Sequence, residues 1–190
     1  MRVLVIDAFE PDDPDRMMAE RAVATLTANG HDVDHLDLAG DGFEPFMSSG
    51  ERAAYHTDQP LVGDDTRASA DLVRAADALL FCYPTTTFTV PARLKGWLER
   101  VLVLGVAFVF DDKGRVSPGM TQVRRLGVLT TTPHGRRATR RHGDLGRRTI
   151  MWTLRLNCNR LCRRTFVSAA RGAGADPAAG RRVERAIGRW

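Results

Sequence analysis

The sequence predicts an α/β domain in which five parallel strands form a doubly wound sheet with helices on both faces. Three observations support this prediction. Short apolar runs alternate with segments of helical spacing from one end of the chain to the other. The length of 190 residues is that of one domain, residues 1–190, and the chain contains no repeat and no linker. Hydrophobic residues make up 43% and charged residues 27% of the chain, a balance that excludes a disordered protein.

Apolar runs bounded by turn-forming residues predict the strands. The first run opens the chain, the second alternates apolar residues with aspartates, and the third is continuously apolar, as expected of a central strand buried on both faces. The five predicted strands comprise residues 2–6, 31–38, 78–83, 125–130 and 165–169.

Helical spacing of apolar residues between these runs predicts the helices. Gly30 ends the first helix, Pro91 opens the third at its first turn, and Pro177 opens the last, which runs to the terminus. The stretch 41–63 is rich in Gly, Pro and Ser and predicts a loop with one helical turn near residues 51–55. The other predicted helices comprise residues 15–29, 64–76, 92–104 and 144–157.

Ligands of open parallel sheets bind at the carboxyl ends of the strands, near the point where strand order reverses. The segments that follow the first, third and fourth strands are therefore the places to look for chemistry. They comprise residues 8–16, 83–90 and 131–143.

Charge is distributed unevenly around a net value of +5. Residues 1–110 hold 9 basic and 18 acidic side chains, whereas residues 111–190 hold 19 and 5. Between Arg124 and Arg171 there are 13 arginines and a single acid, Asp144. Such asymmetry favours an anionic ligand or a nucleic acid.

Three interpretations of this basic stretch stay open. In the first, its positive charge balances the negative charge of the first half of the chain. In the second, it contacts cofactor phosphates. In the third, it binds nucleic acid, although the lack of interleaved aromatic residues disfavours this interpretation. The arginines proposed for phosphate contact are Arg136, Arg137, Arg140 and Arg141.

The three cysteines, Cys82, Cys158 and Cys162, are too few for a disulfide framework, and their spacing does not predict a metal site. The longest apolar run, residues 101–110, is too short to span a membrane, and Asp7 interrupts the apolar start before it resembles a signal peptide. We therefore expect a cytoplasmic protein without a membrane segment and without a metal ion.

Residues 83–101 carry the most specific motif of the chain, Tyr-Pro-Thr-Thr-Thr-Phe-Thr-Val-Pro-Ala-Arg-Leu-Lys-Gly-Trp-Leu-Glu-Arg-Val. This run resembles the central signature of the flavodoxin-like NAD(P)H:quinone oxidoreductases. Three further segments match the same family in order: Gly-Val-Ala-Phe-Val-Phe at 105–110, Leu-Thr-Thr at 129–131 and Gly-Asp-Leu-Gly-Arg-Arg at 143–148.

The resemblance implies a flavodoxin-like fold and a flavin cofactor, FMN or FAD, reduced by NADPH or NADH. The implied activity is two-electron, hydride reduction of a quinone or a similar small electron acceptor, in which donor and acceptor use one pocket in turn. His134 is the implied catalytic residue, as a donor to the flavin or to the substrate, although it could equally be an exposed loop histidine. The implied cofactor-binding residues are Phe9, Arg16, Pro84, Thr85, Thr86, Thr87, Phe88, Thr131, Thr132, Pro133, His134 and Gly135.

The family also implies a homodimer in which an aromatic segment of one subunit covers the flavin of the other. Phe108 and Phe110 match that segment as substrate-binding residues and, being two apart in an extended segment, face the same side. The alternative is that both are core residues.

The first loop departs from the family because it carries four carboxylates where relatives bind the flavin phosphate. That difference favours an alternative function, a family member with a lost or altered flavin site that serves as a binding or regulatory subunit. A flavoenzyme dedicated to a natural-product intermediate is a further alternative. The sequence does not separate FMN from FAD or NADH from NADPH.

Overall fold

The computed structural model describes residues 1–55, 57–134 and 136–190, with only the backbone at Arg136. Its main sheet has five parallel strands in the order β2-β1-β3-β6-β7, which confirms the predicted fold class. A short antiparallel hairpin, β4–β5, lies outside this sheet. The strands comprise β1 (Arg2–Asp7), β2 (Asp32–Asp37), β3 (Ala78–Pro84), β4 (Phe108–Phe110), β5 (Val116–Pro118), β6 (Arg125–Thr132) and β7 (Arg163–Ala170).

Helices cover both faces of the sheet because both faces of its central strand are apolar. One core contains side chains of α3 and α4, such as Val73 and Trp97, and the other contains side chains of α1 and α7, such as Met18 and Val183. The helices comprise α1 (Met17–Ala28), α2 (Ser49–Ala54), α3 (Asp64–Ala75), α4 (Ala92–Val101), α5 (Arg136–Arg141), α6 (Leu145–Arg148) and α7 (Pro177–Ile187).

The prediction of one continuous helix over residues 144–157 was wrong. The structure has α6, then a π-helical turn at Thr149–Thr153 and a 3-10 turn at Leu154–Asn157. The buried residues Ile150, Met151 and Leu154 keep helical spacing, so periodicity alone cannot reveal the change in backbone hydrogen bonding.

The third predicted helix is shorter than expected, and the hairpin after it was not predicted. Leu102 leaves the helical region of backbone conformation (φ −88°, ψ 55°), so α4 ends at Val101, and Pro91 is its N-cap residue rather than its first turn. The two strands of the hairpin have three residues each, too few for an alternating pattern to stand out.

A buried ion cluster fixes the long segment between β2 and α3 onto α4. Arg100 is almost fully buried; its Nε donates to Oε1 of Glu51 at 2.9 Å, and its Nη2 lies 2.8 Å from Oδ2 of Asp65. Its Nη1 also donates to the backbone oxygen of Glu44 at 2.6 Å. Because Arg100 is paired with two carboxylates, their attraction offsets the free-energy cost of removing its guanidinium from water.

No helix in the described part of the chain combines the length and apolar character needed to cross a membrane.

Candidate active site at the carboxyl edge of the sheet

The loops after β3 and β6 meet at the carboxyl edge of the sheet. The backbone N–H of Thr85 donates to the carbonyl oxygen of Thr131 at 2.7 Å, and the hydroxyl oxygens of Thr85 and Thr130 lie 2.8 Å apart. Because β3 and β6 are adjacent parallel strands, their loops emerge side by side at the edge where ligands bind in such sheets.

The β3 loop closes into a tight turn whose two central residues have left-handed backbone conformation. Thr86 and Thr89 exchange backbone hydrogen bonds at 3.0 and 2.9 Å, and φ is +48° at Thr87 and +61° at Phe88. Thr86 and Thr87 are exposed, and within the described residues the N–H groups of Thr87 and Phe88 have no hydrogen-bond partner. Strained backbone of this kind clusters at ligand sites, and these donors are available to a bound polar group.

An aromatic stack joins the β3 loop to the segment after β6. The Phe88 ring stacks against two histidines, with its centroid 4.8 Å from that of His134 and 4.3 Å from that of His142, both at an interplanar angle of 21°. The structure thus brings His134 next to the β3 loop, as the prediction requires, and adds His142 to the site.

Behind these loops lies a small cavity of about 10 Å³, enough for one water molecule. Asp144, which was not predicted as a site residue, lines this cavity. Burial raises the pKa of its carboxyl group, while Arg147 and Arg140 act in the opposite direction. A lone acid within an arginine-rich stretch was the sequence signal that could have identified it. The cavity is far too small for a flavin ring, which must lie outside it.

Two features at this edge provide room and polar groups for a larger ligand. An open groove of about 580 Å³ lies along the ends of β6 and β7, a volume typical of small-molecule sites. The Thr131 hydroxyl is fully buried and has no hydrogen-bond partner among the described residues. The residues that line the groove are Thr132, Pro133, His134, Ser168, Ala169, Ala170 and Arg182.

The loop between β1 and α1 turns its backbone donors inward. The N–H of Phe9 donates to Oδ1 of Asp7 at 3.0 Å, and the N–H of Asp15 donates to Oδ1 of Asp13 at 2.9 Å. The N–H groups of Asp13 and Arg16 donate to carbonyl oxygens of the same loop. These four donors are satisfied within the segment 7–16, so they are not available to a phosphate in the described conformation.

The acidic residues of this loop have structural partners. Asp15 is fully buried, and its carboxylate accepts from the N–H groups of Gly172 and Gly174 at 2.9 and 2.8 Å. Asp13 lies 3.6 Å from a guanidinium nitrogen of Arg171. The loop is therefore fastened to the segment after β7, whereas Asp12 has no ion pair among the described residues.

Arg16, a predicted cofactor-binding residue, is held by carboxylates. Its Nη2 donates to Asp37, and its Nε lies 3.9 Å from Oδ2 of the buried Asp7 and 3.8 Å from Oε1 of Glu20. The hydrogen bond to Asp37 raises the pKa of Arg16. Burial opposes ionisation of Asp37, but hydrogen bonds from Arg16 and from the N–H of Gly40 outweigh it and lower the pKa of Asp37. This corner of the site has no excess positive charge for a phosphate.

The remaining predicted site residues occupy different surroundings. The Phe9 side chain is fully buried in the α1/α7 core, so contact with a ligand is left to its backbone. Pro84 ends β3 beside Thr131. Gly135 and the Arg136 side chain lie outside the described residues.

The structure does not bring Phe108 and Phe110 to the site of their own chain. They lie in β4, which follows the far end of α4, and the neighbouring Gly105 oxygen accepts from Arg74 near the end of α3. This places the hairpin toward the amino edge of the sheet. Phe108 is half-buried against the α3/α4 core, and Phe110 is 49% exposed.

In the described part of the chain, no group of three His, Cys, Asp or Glu side chains is placed to hold a metal ion. Cys82, Cys158 and Cys162 are buried free thiols.

Comparison with known proteins extends these observations. A family model described as flavodoxin-like fold matches residues 1–190. Rat NAD(P)H dehydrogenase [quinone] 1 is 32% identical over 161 residues, an alignment that covers 76% of this chain and 58% of the relative. The chain thus spans less than two thirds of that relative's length.

Solved structures resemble the chain over nearly its whole length. The NAD(P)H:quinone oxidoreductase from Methanothermobacter marburgensis superposes with a TM-score of 0.79 at 20% identity, covering 100% of this chain and 96% of the other. An FMN-dependent NADH-azoreductase from Bacillus anthracis in complex with FMN gives 0.72 at 14% identity, covering 99% and 98%. At such identities these likenesses show a shared fold.

Proposed function

The chain belongs to the flavodoxin-like family, and on that premise we propose that it is a flavin-dependent NAD(P)H oxidoreductase that reduces quinones or similar small electrophiles by two-electron transfer. The observation that carries the proposal is the meeting of the two loops expected to hold the flavin ring, joined by the bond from Thr85 N–H to the Thr131 oxygen at 2.7 Å. The names of the rat and Methanothermobacter proteins, both quinone oxidoreductases, support the same activity.

The chemistry that a flavin would supply, held by the residues at 84–88 and 131–134, is hydride transfer between NAD(P)H and the acceptor. The chain's own contribution is to position the ring and stabilise charge at its polar edge. The free N–H groups of Thr87 and Phe88 point to hydrogen bonds with that edge, and oriented backbone donors stabilise developing negative charge without supplying a proton. Of the predicted ring contacts, we retain Pro84 and the residues at 85–88 and 131–134.

His134 is the side chain proposed to donate a hydrogen bond to the ring or to the acceptor. It lines the open groove and, although it is exposed, stacks on Phe88, which holds its imidazole beside the β3 loop. Donor and acceptor share this one edge, and we therefore propose that reduced nicotinamide leaves before the acceptor binds.

The phosphate end of a flavin has less support from the residues present. In the β1–α1 loop, backbone N–H groups such as those of Phe9 and Asp15 already donate within the segment, and Arg16 is paired with Asp37. The Asp12 carboxylate has no ion pair among the described residues. We propose that the ring supplies most of the binding free energy, with Phe9 and Arg16 acting as the scaffold of the loop. The exposed arginines of α5, Arg137, Arg140 and Arg141, are placed to contact the phosphates of NADPH instead.

We also propose that the protein is a homodimer. Exposed apolar side chains lie on the β4–β5 hairpin and on the turns that follow α6, where Leu154–Asn157 packs against β5. Since the hairpin lies far from its own site, it could cover only the site of a partner. The exposed apolar residues are Val109, Phe110, Val116, Trp152 and Leu156.

Titration of the purified protein with FMN, FAD and riboflavin, followed by flavin fluorescence, tests the cofactor proposal. We expect saturable binding of one flavin per chain, followed by NADH- or NADPH-dependent reduction of a quinone. The closed β1–α1 loop favours one second candidate, a binding subunit without flavin. Absence of binding by all three flavins would select that candidate.

A further inference from the structure

Three arginines converge at the amino edge of the sheet, the end opposite to the candidate active site. Arg125 begins β6 and Arg163 begins β7, and the parallel register places their Cα atoms directly opposite each other. Register partners on adjacent strands are about 4.8 Å apart and project to the same face. Arg124 precedes Arg125 and is bonded through its carbonyl oxygen to the N–H of Arg163.

Like charges at directly opposite positions destabilise a sheet. Neither Arg125 nor Arg163 forms an ion pair with any residue that the structure describes. The next residue along β7, Arg164, shows the contrast, because its guanidinium lies over Trp152 and donates to the Met151 oxygen at 3.2 Å. The uncompensated pair thus stands out within the basic stretch.

A pocket of about 570 Å³ opens onto these side chains, and no acidic residue lines it. One wall is fixed, because the Asn159 side chain donates to the Thr121 oxygen at 2.9 Å and accepts from the N–H of Leu161 at 3.0 Å. The residues that line this arginine pocket are Met1, Arg124, Arg125, Asn159, Leu161 and Arg163.

Two acidic groups near this edge of the sheet have partners outside the pocket. The Asp77 carboxylate accepts from the backbone N–H of Arg2 at 2.9 Å, and Asp34 pairs with the Arg2 guanidinium at 2.7 Å. The positive charge of the pocket therefore has no neutralising carboxylate in its lining, and an anion from solution is the group that could compensate it.

We propose that the arginine pocket binds a polyphosphate group, carried by inorganic polyphosphate or by a nucleoside polyphosphate. Guanidinium groups bind phosphate oxygens through paired hydrogen bonds, and several adjacent guanidiniums suit several linked phosphates. The volume is in the range of small-molecule sites. The eight residues of β6 separate this pocket from the active-site edge by about 23 Å, so it is not the flavin site.

Calorimetric titration at low salt with inorganic tripolyphosphate and with a nucleoside triphosphate tests the proposal. We expect one saturable site per chain, and at least about tenfold weaker binding in the Arg125→Gln/Arg163→Gln variant. The matched control, Arg181→Gln/Arg185→Gln, removes the same charge from α7 and should change the affinity less than about twofold. Whichever probe binds more tightly identifies the source of the phosphate group.

The double variant is expected to fold, because it removes two facing like charges, and to melt no lower than the wild-type protein without ligand. Tripolyphosphate should raise the melting temperature of the wild type and not that of the variant. Equal weakening in both variants, or no saturable binding of either probe, would overturn the proposal. Affinity only for RNA, rising with its length, would overturn it in favour of a nucleic-acid surface.

Discussion

The ring of Phe88 lies 4.3 Å from that of His142 and 4.8 Å from that of His134, and these stacked contacts connect the two loops at the carboxyl edge. Phe88 holds this position with φ of +61°, a conformation that side chains other than glycine adopt at a cost. The stack stabilises the folded protein and the backbone strain destabilises it. Substitutions of Phe88 can separate the two effects.

Phe88→Ala removes the stack and keeps the unfavourable backbone, whereas Phe88→Gly removes the stack and relieves the strain. We expect the glycine variant to be more stable than the alanine variant by about 1 kcal/mol, measured by urea unfolding. Both variants should bind flavin more weakly than the wild type because the ring that holds His134 and His142 against the β3 loop is lost. An alanine variant as stable as the glycine variant would show that the turn is not strained.

Asp12 is the acidic residue of the β1–α1 loop whose carboxylate has neither an ion pair nor a hydrogen-bond partner in the described part of the chain, so its charge should act on a cofactor phosphate. We expect Asp12→Asn together with Asp13→Asn to tighten FMN binding by about 1 kcal/mol at low salt. Riboflavin, which lacks the phosphate, should bind the variant and the wild type equally. Asp112→Asn, on the remote β4–β5 connection, is the control.

If FMN and riboflavin respond equally to the Asp12 and Asp13 changes, the effect comes from loop structure and not from charge. If neither responds, the phosphate lies away from this loop.

The Asp37–Arg16 pair makes stability depend on pH. The folded pKa of Asp37 is lower than its unfolded value, so its contribution is fully present above the unfolded pKa and is lost as pH falls through the folded pKa. Asp37→Asn should therefore lower the free energy of unfolding by about 1–2 kcal/mol at neutral pH. The difference from wild type should shrink once the pH falls below the pKa of an unfolded aspartate and disappear below the lower, folded pKa of Asp37. The exposed Asp58→Asn is the control, and a difference independent of pH would contradict this origin.

The proposed dimer depends on exposed apolar residues of the hairpin and the adjacent turns. Phe110→Ser combined with Leu156→Ser should convert the dimer to a monomer, as measured by light scattering during size-exclusion chromatography. Leu61→Ser changes an equally exposed apolar residue outside this patch and should leave the dimer intact. Phe108→Ala should raise the KM for the acceptor if Phe108 covers the partner's site.

A large fall in melting temperature together with loss of flavin binding would instead make Phe108 a core residue.

The sequence predicted the sheet because apolar runs such as Leu79–Phe81 have no alternative to burial on both faces. It also predicted which loops would meet, because parallel strands place their carboxyl ends at one edge. It could not predict that Phe88 would stack against both His134 and His142, since that contact depends on two left-handed residues in a turn without glycine.

Other misses have similar causes. The π-helical turn at Thr149–Thr153 preserves the helical spacing of buried residues, so the hydrophobic pattern is the same with or without it. The acids of the first loop were expected to repel a phosphate, but the partners of Asp13 and Asp15 lie beyond β7, more than 150 positions along the chain. No local pattern contains such distant contacts. The facing pair Arg125 and Arg163 depends on strand register in the same way.

The central claim is that this chain passes electrons from NAD(P)H to a small acceptor through a flavin held at the carboxyl edge. Its most direct test is anaerobic: the protein loaded with FMN is mixed with one equivalent of NADPH or NADH, and the visible absorbance of the flavin is recorded. We predict loss of that absorbance, followed by its full return on addition of one equivalent of a quinone. Retained absorbance with both nucleotides, although FMN is bound, would contradict the account.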